Sequence, residues 1–181
     1  MDETKTTQGL NRRSFLKISA IWAGGAWIVG IPTVKGRPTN VLNEEQAWIM
    51  DALADAIIPP GEYAGGKDAG VTLFVDQQIG RYGYLKNDRE MVQTCLIALN
   101  RGSVNDFGSP FTELNDELKE EYLKKMEAGG YNGVNAGSDW GAYTPSSFFN
   151  TVRNYCMMGF YGSPEHGGNK DFVSYRMLGL F

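Results

Sequence analysis

The chain has 181 residues, 42% hydrophobic and 21% charged, with a formal net charge of -4. That length suits one domain with a real core. The acidic balance excludes a nucleic-acid binder, which needs a basic face for phosphates.

The first 36 residues carry five of the 17 basic side chains and two of the 21 acidic ones. The remainder therefore holds 12 basic against 19 acidic residues and sits near -7. Within that first stretch, Asn11-Arg12-Arg13-Ser14-Phe15-Leu16-Lys17 precedes a fourteen-residue apolar run, Ile18 to Ile31, with three glycines. Arg12 and Arg13, then Phe15 and Leu16, then an apolar run predict a twin-arginine export signal, read by the twin-arginine translocase. That route carries proteins that have already folded, often around a cofactor. The run falls short of the roughly twenty apolar residues of a membrane-spanning helix, which favours a signal core over a permanent anchor. No A-x-A site follows, so cleavage and retention as a tether both stay open. No cysteine follows the run, which excludes a lipoprotein anchor. The expected division is signal and linker over 1–36 and a helical domain over 37–181.

Asn43 reads as a helix N-cap, answered by Gln46, with Glu44 and Glu45 at the positive end. Met50, Leu53, Ala54, Ile57 and Ile58 repeat at helical spacing, and Pro59-Pro60 stops the helix. Gly61 to Gly70 is a Gly-rich loop without the G-K-[ST] ending of a phosphate cradle. A second helix is expected over Ala69–Ile79. A third, capped by Asp88, carries Met91, Val92, Cys95, Leu96 and Leu99 inward, and a loop is expected over Asp106–Pro110. Asn115 caps a fourth helix over Asp116–Ala128, ended by Gly129-Gly130. Gly130 to Tyr143 reads as an exposed loop. Thr144-Pro145 opens a fifth helix with the aromatic face Phe148, Phe149, Val152, Tyr155 and Cys156. No segment alternates well enough to predict a strand. The expected fold is all-α: a small irregular domain of about five helices, with long Gly/Asn-rich loops and an extended C-terminal tail from Phe160. Large apolar side chains on such a tail need a surface to bury against, in this domain or in a partner.

The chemistry-bearing residues are few. Cys95 and Cys156 belong to no C-x-x-C or C-x-x-C-H pattern, which argues against c-type haem and cysteine-based zinc. An internal disulfide, a bridge to another subunit and two buried thiols all remain open. His166 is the only histidine and lies beside Glu165 in a Gly-rich loop; a loop or interface histidine outweighs a general base. Asp51 and Asp55 share a helix face, read as solvated. The acidic and lysine residues between 116 and 125 read as an ordinary charged helix surface. No G-x-G-x-x-G occurs, so FAD is not expected on this chain, and no ligand cluster predicts a metal.

Several segments together resemble one family. Leu53-Ala54-Asp55-Ala56-Ile57-Ile58-Pro59 and Asp68-Ala69-Gly70-Val71 running to Phe74-Val75-Asp76 are similar to its N-terminal half. Phe111-Thr112-Glu113-Leu114 resembles its middle. Gly159-Phe160-Tyr161-Gly162-Ser163-Pro164 and Gly167-Gly168-Asn169-Lys170-Asp171 resemble its C-terminal signature. The family is gluconate 2-dehydrogenase subunit 3, the small subunit of membrane-associated FAD-dependent sugar and polyol dehydrogenases. Two positions depart from it: His166 stands where an aromatic is frequent, and Ser174-Tyr175 where Gly-Trp is common. The resemblance implies a GMC-type catalytic subunit that holds FAD, and often a multihaem cytochrome c subunit that receives the electrons. It implies a periplasmic complex in which the small subunit supplies the export signal for both. Phe160, Tyr161, Pro164, His166, Asn169, Asp171 and Tyr175 are the expected partner-interface residues, with no catalytic residue on this chain. The rival readings are an independent oxidoreductase using His166 and a free-standing periplasmic binding module.

Overall fold

A computed structural model describes residues 20–23, 26–29, 41–129 and 140–180. The chain divides into two compact units, Met1–Val34 and Lys35–Phe181. Arg12, Arg13, Phe15 and Leu16 lie outside the described residues.

In the first unit two short strands pair antiparallel, β1 (Ala20–Ala23) with β2 (Ala26–Val29), with Trp22 opposite Trp27. The sequence reading expects no strand here. Glycine costs a helix about 1 kcal/mol per residue, so the Gly24-Gly25 pair in the sequence disfavours a continuous helix through this run. A lone hairpin of this size is marginal in water.

The second unit is all-α. Its helices are α1 (Glu44–Ile57), α2 (Val71–Arg81), α3 (Lys86–Phe107), α4 (Asp116–Glu127), α5 (Pro145–Tyr161) and the short α6 (Val173–Met177). Among the described residues no helix is long and apolar enough to cross a membrane.

Three predicted starts are built as the sequence implies. Asn43 and Gln46 form a reciprocal capping box on α1. The Asn115 side chain accepts from Leu118 N on α4 at 2.9 Å. Thr144 and Ser147 form a capping box on α5, with Pro145 in its first turn. Each satisfies backbone donors that a helix start otherwise leaves bare.

The third helix differs. A 3-10 turn at Gly83–Leu85 feeds directly into α3 at Lys86, so Asp88 is not a cap. Its carboxylate instead accepts a hydrogen bond from the Tyr155 hydroxyl at 2.7 Å, tying α3 to α5. The helix also runs two residues into the expected loop, to Phe107, and ends on Gly108, in the left-handed conformation at φ 74°. That is the ordinary use of glycine after a helix C-terminus.

α5 packs on α2, α4 and α3, while α1 packs on α3 and α2. Ile49, Met50, Leu53, Leu96, Leu99 and Phe148 are fully buried where these helices meet. Trp140, expected on an exposed loop, is buried and packs on Phe148 with ring centroids 5.8 Å apart. Its large apolar surface outweighs the Gly/Asn-rich context that suggested solvent.

Two buried carboxylates fasten the N-terminal edge of the bundle. Asp76 accepts from Val41 N at 3.0 Å and Leu42 N at 2.8 Å. Gln93 donates to the Val41 carbonyl at 2.7 Å, and Gln46 donates to the Gln93 carbonyl at 2.9 Å. Asp51 is buried, not solvated, and accepts from the Thr72 hydroxyl at 2.7 Å. Asp55 is half-buried and accepts from Lys67 N at 2.9 Å; burial raises its pKa above the usual carboxylate value despite that bond.

Candidate docking surface

The tail is not extended. It folds into two 3-10 turns, Pro164–His166 and Lys170–Phe172, followed by α6, and so forms a cap on the bundle. The cap is seated by close backbone approach. A Cβ at Gly168 would run into the carbonyl oxygen of Gly159 on α5. A Cβ at Gly70, left-handed at φ 82°, would stand 2.9 Å from the Gly167 carbonyl oxygen. Lys170 N then donates to the Ala69 carbonyl at 3.0 Å. The 68–71 segment and the two C-terminal glycine segments, about ninety to a hundred residues away in sequence, therefore meet along one seam. Only glycine permits backbones this close.

Asn169 locks the cap. It is buried, left-handed at φ 45°, donates from Nδ2 to the Gly162 carbonyl at 2.8 Å and accepts from Ser174 N at 2.9 Å. The Tyr175 hydroxyl donates to the same Gly162 carbonyl at 3.4 Å. The rings of Phe172 and Tyr175 lie 6.0 Å apart. The Gly162 carbonyl thus joins the end of α5 to both the turn and α6.

Around this joint the usual inside-out rule is relaxed. Ten large hydrophobic residues are exposed among the described residues, and six fall within 157–180: Met157, Met158, Tyr161, Phe172, Leu178 and Leu180. Met157 and Met158 stand one turn before Tyr161 and share its helix face. This clustering along the chain makes the C-terminal segment the candidate docking region.

The predicted interface residues divide. Phe160 and Asn169 are buried in the domain's own interior. Tyr161, His166 and Asp171 are exposed, and Pro164 and Tyr175 are half-buried. His166 and Glu165 line a cleft of about 440 Å³ together with Val41, Gln77, Gln78 and Arg81. The sequence reading did not single out Met157, Met158, Phe172, Leu178 or Leu180, although the last three lie in the apolar tail it expected to be covered by this domain or a partner. The two methionines fall off the periodic aromatic face of α5, which was the available signal.

Cys95 and Cys156 form no disulfide; both are free, buried thiols. Burial pushes each up to about 12, so both stay protonated and unreactive near neutral pH. The α4 surface is laced by Lys124–Glu120 and Lys125–Glu121 pairs at 2.5 and 2.7 Å, the solvated charged face expected of it. Such exposed pairs add little stability. Among the described residues no group of three His, Cys, Asp or Glu side chains could hold a metal ion.

No curated relative and no solved structure matches the chain. The family model for gluconate 2-dehydrogenase subunit 3 matches residues 44–180, from the first residue of α1 to Leu180 in the apolar tail. The chain belongs to the gluconate 2-dehydrogenase subunit 3 family, whose members are accessory subunits of a dehydrogenase complex.

Proposed function

We propose that this chain is the non-catalytic small subunit of a periplasmic FAD-dependent sugar or glycoside dehydrogenase complex. It escorts the flavoprotein catalytic subunit through folding and through twin-arginine export. The observation that supports this reading is the set of six exposed large hydrophobic side chains between Met157 and Leu180, three at the end of α5 and three in the segment that follows it, inside the family-matched span. A surface of that composition is stabilised by covering it with another protein. The pair Arg12-Arg13, followed by Phe15 and Leu16, supports the export role. In this reading FAD sits on a GMC-type partner, and a multihaem cytochrome c subunit takes the electrons onward.

Co-expression tests it. The flavoprotein produced with this chain is expected to be soluble, flavin-loaded and periplasmic, and to co-purify with it. Replacing Arg12 and Arg13 by lysine leaves the pair assembled in the cytoplasm. A catalytic subunit that is soluble, loaded and exported without this chain overturns the proposal.

A further inference from the structure

The chain enters the helical unit through a segment whose backbone is pinned by side chains. Val41 N and Leu42 N donate to the Asp76 carboxylate on α2 at 3.0 and 2.8 Å. The Val41 carbonyl accepts from Gln93 on α3 at 2.7 Å, and Asn43 N donates to Gln46 on α1 at 2.9 Å. Four backbone groups in three successive residues are thus held from three helices. Leu42 itself is 3% exposed and belongs to the core. Asp76 and Gln93 lie 34 to 52 residues from the groups they hold. The clasp therefore exists only once α2 and α3 have packed beside the start of α1.

A protease reads its substrate as an extended strand, pairing with N–H and C=O groups on both sides of the bond it cuts. At Val41 and Leu42 those groups are already taken. Cutting there requires the clasp to open first, and its rate follows the population of the opened form. We propose that this clasp is a built-in stop for N-terminal processing. A protease working in from the first unit trims the folded chain no further than Val41, so the helical unit keeps Val41 and Leu42 at its edge. In the unfolded chain the same bonds are open, so the stop also reports that the first three helices have packed. The inference concerns the helical unit alone and holds whether or not the docking reading does.

The test treats the folded full chain with thermolysin, which cuts before large apolar residues, and reads the products by mass spectrometry. The resistant wild-type helical unit is expected to begin at or before Val41. Asp76→Ala is expected to speed cutting of the Val41–Leu42 bond about tenfold or more, the scale of hydrogen bonds to a charged group. Gln93→Ala acts in the same direction by a smaller factor, and carries the test if Asp76→Ala does not fold. Met126→Ala removes a fully buried side chain from α4, which bears none of the clasp residues. It serves as the control for a general loss of stability: it should speed the Val41–Leu42 bond no more than other bonds of the bundle. A wild-type unit that begins at Leu42 or later overturns the inference. So does a Val41–Leu42 bond that is cut no faster in the clasp variants than in Met126→Ala.

Discussion

The helical bundle and its C-terminal cap solve opposite problems with the same chain. In the bundle, the apolar faces of the helices meet in the core, and most helix starts are capped by side chains. Asp76, Gln93 and Gln46 form a closed set of hydrogen bonds that fastens Val41 and Leu42 to α2 and α3. In and beyond the cap, some polar residues are buried and some large apolar ones exposed. Asn169 is buried while Phe172, Leu178 and Leu180 are exposed, and the backbone enters left-handed space at non-glycine positions. The proposed docking role rests on this contrast rather than on any single residue.

The sharpest way to break the contrast is to damage the bundle. Phe148→Ala removes a fully buried ring that packs on Trp140. It is expected to cost about 3–5 kcal/mol, read from urea unfolding. A loss as small as that of a surface change would mean the core lies elsewhere. Asp76→Ala comes next, leaving two N–H groups of Val41 and Leu42 without their carboxylate. A loss of about 3 kcal/mol is expected, together with faster amide exchange at those two positions.

Alkaline pH probes the same interior through its protons. Cys95 and Cys156 rise from an ordinary 9.0 to about 12 by burial. Tyr155 is raised above its ordinary 10.0, by burial first and by its bond to Asp88 second. The folded chain therefore keeps protons that the unfolded chain releases. Their contribution is complete below pH 9 for the thiols and below pH 10 for the tyrosine, and is lost as pH climbs through the folded values. Stability should fall steadily from about pH 9 towards 12, and thiol reagents should modify neither cysteine until the chain unfolds. The smallest effect is expected in the cap. Leu178→Ser with Leu180→Ser should shift the stability of the free chain by no more than about 0.5 kcal/mol per site. A large loss would show that these side chains serve the domain's own core.

Much of the bundle was legible because its signals are local. Asn43 with Gln46, Asn115, and Thr144 with Pro145 each announce a helix start through bonds spanning three residues. Asp88 resembled the same signal and misled, since a preceding 3-10 turn supplies the start and a tyrosine 67 residues away claims the carboxylate. Asp51 likewise looked solvated because its partner, Thr72, is 21 residues distant. The C-terminal signature assigned to an interface two residues, Phe160 and Asn169, that the fold buries internally.

What the amino-acid sequence determined by itself was the helical class, most helix ends and the family, all properties of short windows or of matched segments. Only the tertiary structure decided that the tail folds back as a cap, that both thiols are free, and which apolar residues face outward. Those outcomes depend on where segments 90 or more residues apart meet, as Ala69 and Lys170 do at 3.0 Å. Periodicity names a buried face but carries no account of which neighbour arrives to bury it.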